Sequence, residues 1–218
     1  MKKYSFVFVL ISFLMLNFGC KKNPTEPDKP TTEDINSSLF PLQMGNEWVF
    51  EFPYWTPWSG DTTATNNCKI ISSKMLNGKK YYAFDNALPF FPYHPILKEL
   101  IGGNVDTIFV RQNENGDIML LVDDSEWLYF SFNTELLDSL VRTKIKNADY
   151  FFQIESTNDT VNTPIGSFDK CLRIFNYFPR IKGTEHYIWF APGYGPIKIY
   201  YPELDVTYQL VKINIQKN

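Results

Sequence analysis

Asp123, Asp124 and Glu126 form the densest carboxylate group in the chain. Carboxylates so close together can work as a general acid and base or as oxygen ligands for calcium. An EF-hand calcium loop needs a glycine at its sixth position and a glutamate at its twelfth, and this stretch supplies neither. Catalytic carboxylate pairs normally come from separate elements that face one cleft. These three sit where a turn between two strands is expected, so they read as a solvated turn. The two histidines, His94 and His186, belong to no H-E-x-x-H helix and have no second histidine at ligand spacing. Packing or surface exposure accounts for each of them. No G-x-S-x-G elbow is present, and Gly166-Ser167 belongs to a turn before a strand. The chain is therefore expected to be no enzyme and to carry no metal or cofactor.

Binding chemistry is better represented. Tyr54, Trp55 and Trp58 lie in YWTPWSG, and Phe90, Phe91 and Tyr93 lie in LPFFPYHP, both segments broken by proline. Rings held at rigid turns can stack on sugar faces or touch acyl chains with little loss of entropy. The alternative is that these loops fold back and cap the ends of a curled sheet, since large exposed apolar patches are uncommon. WFAPGYGPIKIY, residues 189–200, has two glycines and two prolines inside an apolar run. A phosphate-cradling glycine loop must open a helix, but β-prone residues follow here. The stretch therefore reads as a tight turn whose glycines adopt positive φ.

The elements that must position these groups are mostly strands. From Asn46 onward, short runs rich in Val, Ile, Phe, Tyr and Thr alternate with Asn, Asp and Gly. Asn77-Gly78 and Asn115-Gly116 each separate two β-prone runs, which is a strong hairpin signal. Two segments have helical spacing instead. HPILKELIGG has Pro95 at a first helical position and Gly102-Gly103 past the end, while TELLDSLVRT places Leu136, Leu137, Leu140 and Val141 on one face after Thr134. The expected fold is mainly β, a strongly curved antiparallel sheet of about ten strands, half-barrel or barrel-like, with two short helices as apolar plugs.

The N-terminus adds a destination. Lys2 and Lys3 precede an apolar run from Phe6 to Leu16 that ends at Gly19-Cys20. That run is too short for a membrane-spanning helix and reads as an export signal over residues 1–19. Residues 20–38 are charged and proline-rich with little apolar content, and read as an extended tether. Residues 39–218 then form a single β-rich domain of ordinary size. Loss of Lys2 and Lys3 with the signal leaves 19 basic against 24 acidic groups, a formal charge of −5, which argues against nucleic acid as a partner. Cys68 and Cys171 remain as an even pair in an exported compartment. A disulfide between them would contribute about 4–5 kcal/mol in the chain-entropy model; two buried free thiols are the alternative.

LNFGC resembles the lipobox of bacterial lipoproteins, with Asn17 where leucine is usual. That likeness implies a diacylglyceryl-modified, palmitate-bearing Cys20, and Lys21 in place of an inner-membrane retention aspartate implies the outer membrane. FPLQMGNEWVFE, TPIGSFDKCLRI and WFAPGYGPIKIY together resemble a family of uncharacterised lipoproteins of the Bacteroidetes and neighbouring phyla. Ile165, Tyr194 and Phe50 stand where that family has alanine, valine and tyrosine. The family brings no assigned reaction. A looser likeness is to periplasmic half-barrels that carry lipoproteins or lipids. Asp followed by Ser or Thr and an apolar residue or Thr resembles a periplasmic O-glycosylation site, which Thr62, Thr107, Ser139 and Thr160 match. The expectation is a lipid-anchored binding or interaction module of the cell envelope, with a hydrophobic-ligand carrier and a glycan-binding accessory protein as alternatives. The partner is the membrane through the anchor, together with a protein, lipid or glycan ligand.

Overall fold

The computed structural model describes residues 39–56, 60–86 and 107–216. Twelve strands are found there: β1 (Glu47–Thr56), β2 (Gly60–Leu76), β3 (Lys79–Phe84), β4 (Ile108–Gln112), β5 (Ile118–Val122), β6 (Ser125–Phe130), β7 (Val141–Ile145), β8 (Ala148–Thr163), β9 (Gly166–Tyr177), β10 (His186–Ala191), β11 (Gly195–Tyr201) and β12 (Val206–Asn214). They form one antiparallel sheet in the order β6-β5-β4-β3-β2-β1-β12-β11-β10-β9-β8-β7. Every neighbour is also a sequence neighbour except β1 and β12, whose pairing joins the two ends of the strand series. The sheet's two edges are thus consecutive strands, β6 and β7.

Those edges come together through side chains and not a ladder. The Thr143 hydroxyl donates to the Leu128 carbonyl oxygen at 3.4 Å, Lys146 pairs with Asp123 at 2.6 Å, and Tyr129 stacks on Tyr150 with centroids 4.9 Å apart. The sheet is therefore a nearly closed barrel. Register shifts in β2 near Ile70, in β8 between Ile154 and Val161, and in β10 at Trp189 and Phe190 mark bulges, the usual device for bending strands around such a curve.

Turn chemistry follows the sequence closely. Asn77 and Gly78 both have positive φ, 50° and 75°, the backbone of a two-residue type I′ hairpin. Asp123 and Asp124, at 49° and 57°, make the same kind of turn between β5 and β6. At the next Asn-Gly, the Asn113 side chain accepts from the Asn115 and Asp117 amides and stabilises a longer loop.

One expected helix is overturned. TELLDSLVRT forms only a 3-10 turn, Thr134–Leu136, with Asn133 and not Thr134 capping it. Asp138 takes a positive φ of 59° and donates its amide to the Ile154 carbonyl oxygen at 2.8 Å, and Val141 onward joins β8 as strand β7. Pairing with β8 outweighs the helical spacing of the leucines, and Leu137 and Leu140 lie exposed and plug nothing. The other proposed helix, HPILKELIGG, lies outside the described residues.

Among the described residues the interior is packed with rings. Phe40, Trp48, Phe84, Phe130 and Phe190 are all fully buried and linked into one cluster by ring contacts with centroids 5.2–6.1 Å apart. Burying aromatics of this size dominates core energetics.

The three family-like sequence stretches meet at one end of this core. The Trp48 indole N–H donates to the Tyr194 carbonyl oxygen at 2.6 Å, and Tyr194 lies edge-on to Phe168 at 5.0 Å. Gly193 and Gly195 have φ of 78° and 84°, and a Cβ on Gly195 would sit 3.2 Å from both Phe40 and Trp48. Buried Asn46 joins the same region, donating to the Pro41 carbonyl oxygen and accepting from the Gln216 amide, each at 2.8 Å. WFAPGYGPIKIY is thus a structural turn seated on the first strand's tryptophan.

Candidate functional site

The strongest candidate lies on the outside of the barrel, across β7 to β11. Away from the bulges, buried and outward side chains alternate along these strands. On β10, His186, Ile188 and Phe190 are buried inward while Tyr187 and Trp189 point out, half-buried. On β9, Leu172, Ile174 and Asn176 point in and Arg173, Phe175 and Tyr177 point out. Antiparallel register aligns these outward side chains into rows. One row runs Arg142, Phe151, Tyr177, the next Gln153, Phe175, Tyr187, Tyr200, Thr207, and a third Arg173, Trp189, Lys198, Gln209.

The rings form a connected array. Phe151 stacks on Tyr177 at 5.2 Å and 16°, Tyr177 meets Phe175 at 5.4 Å, Phe175 meets Tyr187 at 4.9 Å, and Tyr187 contacts Tyr200 at 6.3 Å and Trp189 at 6.0 Å. Cations lie over its ends. The Lys198 ammonium is 4.9 Å from the Trp189 ring centre, with the Arg173 guanidinium 6.0 Å from the same ring and Arg142 6.0 Å from Phe151. Carboxylates fix these groups. Arg142 makes a forked pair with Asp149 at 2.9 Å, Arg173 lies 3.2 Å from both Glu155 and Asp159, and Asp159 accepts from the Trp189 indole N–H at 2.8 Å.

A second feature is a groove of about 460 Å³ at the barrel rim, where Leu42, Lys80, Tyr82, Arg111, Gly193 and Ile215 are among the lining residues. Of its two cations, Arg111 hydrogen-bonds Glu126, as does neighbouring Lys79, and Lys80 lies over the Tyr82 ring at 4.9 Å. The Arg111 guanidinium holds the Glu126 carboxyl at about 2. Glu126 is thus an ion-pair anchor, while Asp123 and Asp124 are exposed turn residues. No group of three metal-ligating side chains occurs among the described residues.

A buried polar cluster occupies the interior. His186 donates from Nδ1 to the Thr184 carbonyl oxygen at 2.7 Å, and its ring stacks on Tyr201 at 5.3 Å. His186 Nε2 and the Tyr201 hydroxyl are buried without a hydrogen-bond partner. Burial drives the imidazole down to about 4. Close by, the Tyr150 hydroxyl donates to the Asn176 side-chain oxygen, and the Asn176 amide donates to the His186 carbonyl oxygen at 3.2 Å.

Of the residues singled out from sequence, Cys20, Trp58, Phe90, Phe91, Tyr93 and His94 lie outside the described residues, and Trp55 falls on β1. Thr62, Ser139 and Thr160 are exposed, and Thr107 is half-buried just before β4. Thr160 donates to the Asp169 carboxylate at 3.0 Å. Cys68 and Cys171 are free, buried thiols and not a disulfide, and their sulfurs face the Asn86 and Phe168 carbonyl oxygens at 3.5 and 3.3 Å. The outer aromatic rows were missed. Their only sequence signal was aromatic residues at both parities of β9 and β10, which does not say which parity faces water.

Fold and surface together define a small antiparallel barrel with a filled interior and an aromatic outer face. No family model matches the chain, and no curated protein matches it. Two solved structures are similar to it. One is a putative lipoprotein from Parabacteroides distasonis, at 16% identity over 82% of this chain and 99% of that one, with a TM-score of 0.42. The other is a putative exported protein with a YmcC-like fold from Bacteroides fragilis, at 14% identity over the same shares, with a TM-score of 0.41.

Proposed function

We propose that the protein is a non-enzymatic binding module of the cell envelope, lipid-anchored at Cys20 in the outer membrane, whose working surface is the outer aromatic face of β7 to β11. The observation that carries this reading is the array itself. Phe151, Phe175, Tyr177, Tyr187, Trp189 and Tyr200 stay half-exposed although the interior offers a complete aromatic core. Clustered Trp, Tyr and Arg are the side chains that dominate binding energy at recognition surfaces, and ion pairs that lock Arg142 and Arg173 lower the entropic cost of presenting them. The export signal and lipobox-like LNFGC support the location. Against a carrier role, rings fill the barrel interior where an acyl chain would need space.

The test places a photo-crosslinking amino acid at Gln153, beside the rings, in the full mature lipoprotein. Crosslinking to Bacteroidetes envelope material is expected to fall severalfold in Tyr187→Ala and Tyr200→Ala, with the melting transition of each variant retained. Unchanged crosslinking in both variants removes this face as the working surface.

A further inference from the structure

Resting on the lipid anchor at Cys20 and not on the aromatic face, we infer that the barrel stands end-on against the bilayer. The end at which the domain begins sinks apolar side chains into the lipid interface. Strand direction defines that end. Because every neighbour in the sheet is antiparallel, odd-numbered strands begin there and even-numbered strands finish there. Both limits of the domain therefore lie at it, with the β2–β3, β4–β5, β6–β7, β8–β9 and β10–β11 connections. The chain enters beside Phe40, whose ring is fully buried against Trp48 and so fixes the point of entry. Eighteen residues separate Leu39 from Cys20, a length of at most about 60 Å.

The side chains exposed at this end are apolar. Met44 lies just before β1, Met75 beside the Asn77-Gly78 turn, and Leu137 and Leu140 before β7; Met75 is 65% and Leu140 52% exposed. At the far end, the exposed large apolar residues among those described are Tyr54 and Leu204, amid Asp123, Asp124, Lys182, Glu203 and Asp205.

Placement around the mouth selects the occupant. The sheet order puts β1 and β2 near the middle of the strand series and β6 and β7 at its edges. Met44 and Met75 thus lie across the mouth from Leu137 and Leu140. A protein hot spot is a contiguous patch with a buried centre. Apolar side chains on opposite sides of a mouth instead match a flat, fluid surface into which each sinks separately. Lys80 lies opposite Met75 in the β2–β3 register, which sets an ammonium beside the apolar tip at headgroup level. Glu135 and Asp138 stand beside the leucines, so the end carries both signs of charge and suits a zwitterionic surface. An end-on stance leaves the outer face of β7 to β11 on the side wall, free for its own partner.

The test uses the full mature lipoprotein in vesicles of phosphatidylethanolamine and phosphatidylcholine, with a fluorophore attached through Met75→Cys, Leu137→Cys or Leu204→Cys. Cys68 and Cys171 are buried and do not take the label. Flotation with the vesicles reads the anchor, and quenching by lipids spin-labelled near the headgroup reads contact. Labels at positions 75 and 137 are expected to be quenched at least about twofold more than the label at 204. Met75→Asp combined with Leu140→Asp is expected to abolish that excess at position 137. Floating protein whose three labels are quenched alike, or whose quenching the aspartates leave unchanged, overturns the inference and leaves the anchor standing. Shielding that appears only when Bacteroidetes envelope proteins are added assigns this end to a protein partner and also overturns it. Failure to float ends both the anchor and the end-on stance.

Discussion

Moderate acidification is expected to weaken the fold through one side chain, His186. Its Nδ1–H is bonded to Thr184, so the neutral ring points an unprotonated Nε2 into the interior, where nothing accepts a proton from it. Tyr129, Tyr150 and Tyr201 are the titratable groups near this part of the core, and burial pushes all three upward, so none supplies a counter-charge at neutral pH. The folded pKa is about 4 against an ordinary 6.5. Because the folded value is depressed, the unfolded chain binds the proton more readily between these limits. Stability is then complete above pH 6.5 and declines as pH falls towards 4. A shift of this size corresponds to about 2 kcal/mol lost by pH 5 and about 3 kcal/mol by pH 4. The assay is urea unfolding at pH 7 and pH 5 for the protein and for His186→Phe, which keeps a ring against Tyr201. Glu126 does not interfere. Its depressed folded value contributes stability that is lost only as pH falls from 4.5 towards 2. The wild type should lose about 2 kcal/mol more than the variant between pH 7 and 5. Equal losses refute the argument, and would mean that His186 finds a partner for its second proton.

Other consequences are equally direct. Gly195→Ala combines positive φ with ring contacts at 3.2 Å, and should destabilise by about 2–4 kcal/mol in chemical denaturation. Trp48→Phe leaves the Tyr194 carbonyl oxygen without its donor and should cost about 1–3 kcal/mol by the same measurement. Cys68 and Cys171 should resist thiol reagents in the native state and both react after unfolding, since burial raises each, Cys171 to about 12; mass maps with and without reductant should agree. Lys146→Ala, by contrast, removes a pair whose Asp123 partner is 67% exposed, and should change stability by less than about 1 kcal/mol.

Much of this architecture is written in local sequence. Asn77-Gly78 specifies a hairpin because few residues tolerate two consecutive positive φ values, and that constraint acts within four residues whatever surrounds them. The alternation in HYIWFA likewise fixes a strand, and the short apolar run before Cys20 reads as an export signal. Period two, however, separates a strand into two faces without saying which is inside. In β9 and β10 both faces are apolar or aromatic, so sequence reading left Tyr187 and Trp189 indistinguishable from Ile188 and Phe190. Tertiary pairing made that choice. The β1–β12 ladder joins the ends of the strand series, the seam at β6 and β7 closes by side chains, and Trp48 reaches Tyr194 across 146 residues of chain. Non-local pairing also drew Val141 into a strand despite helical leucine spacing. Local chemistry therefore determined strands and turns, whereas inside and outside, and with them the aromatic face, were decided only when distant strands competed for the same limited interior.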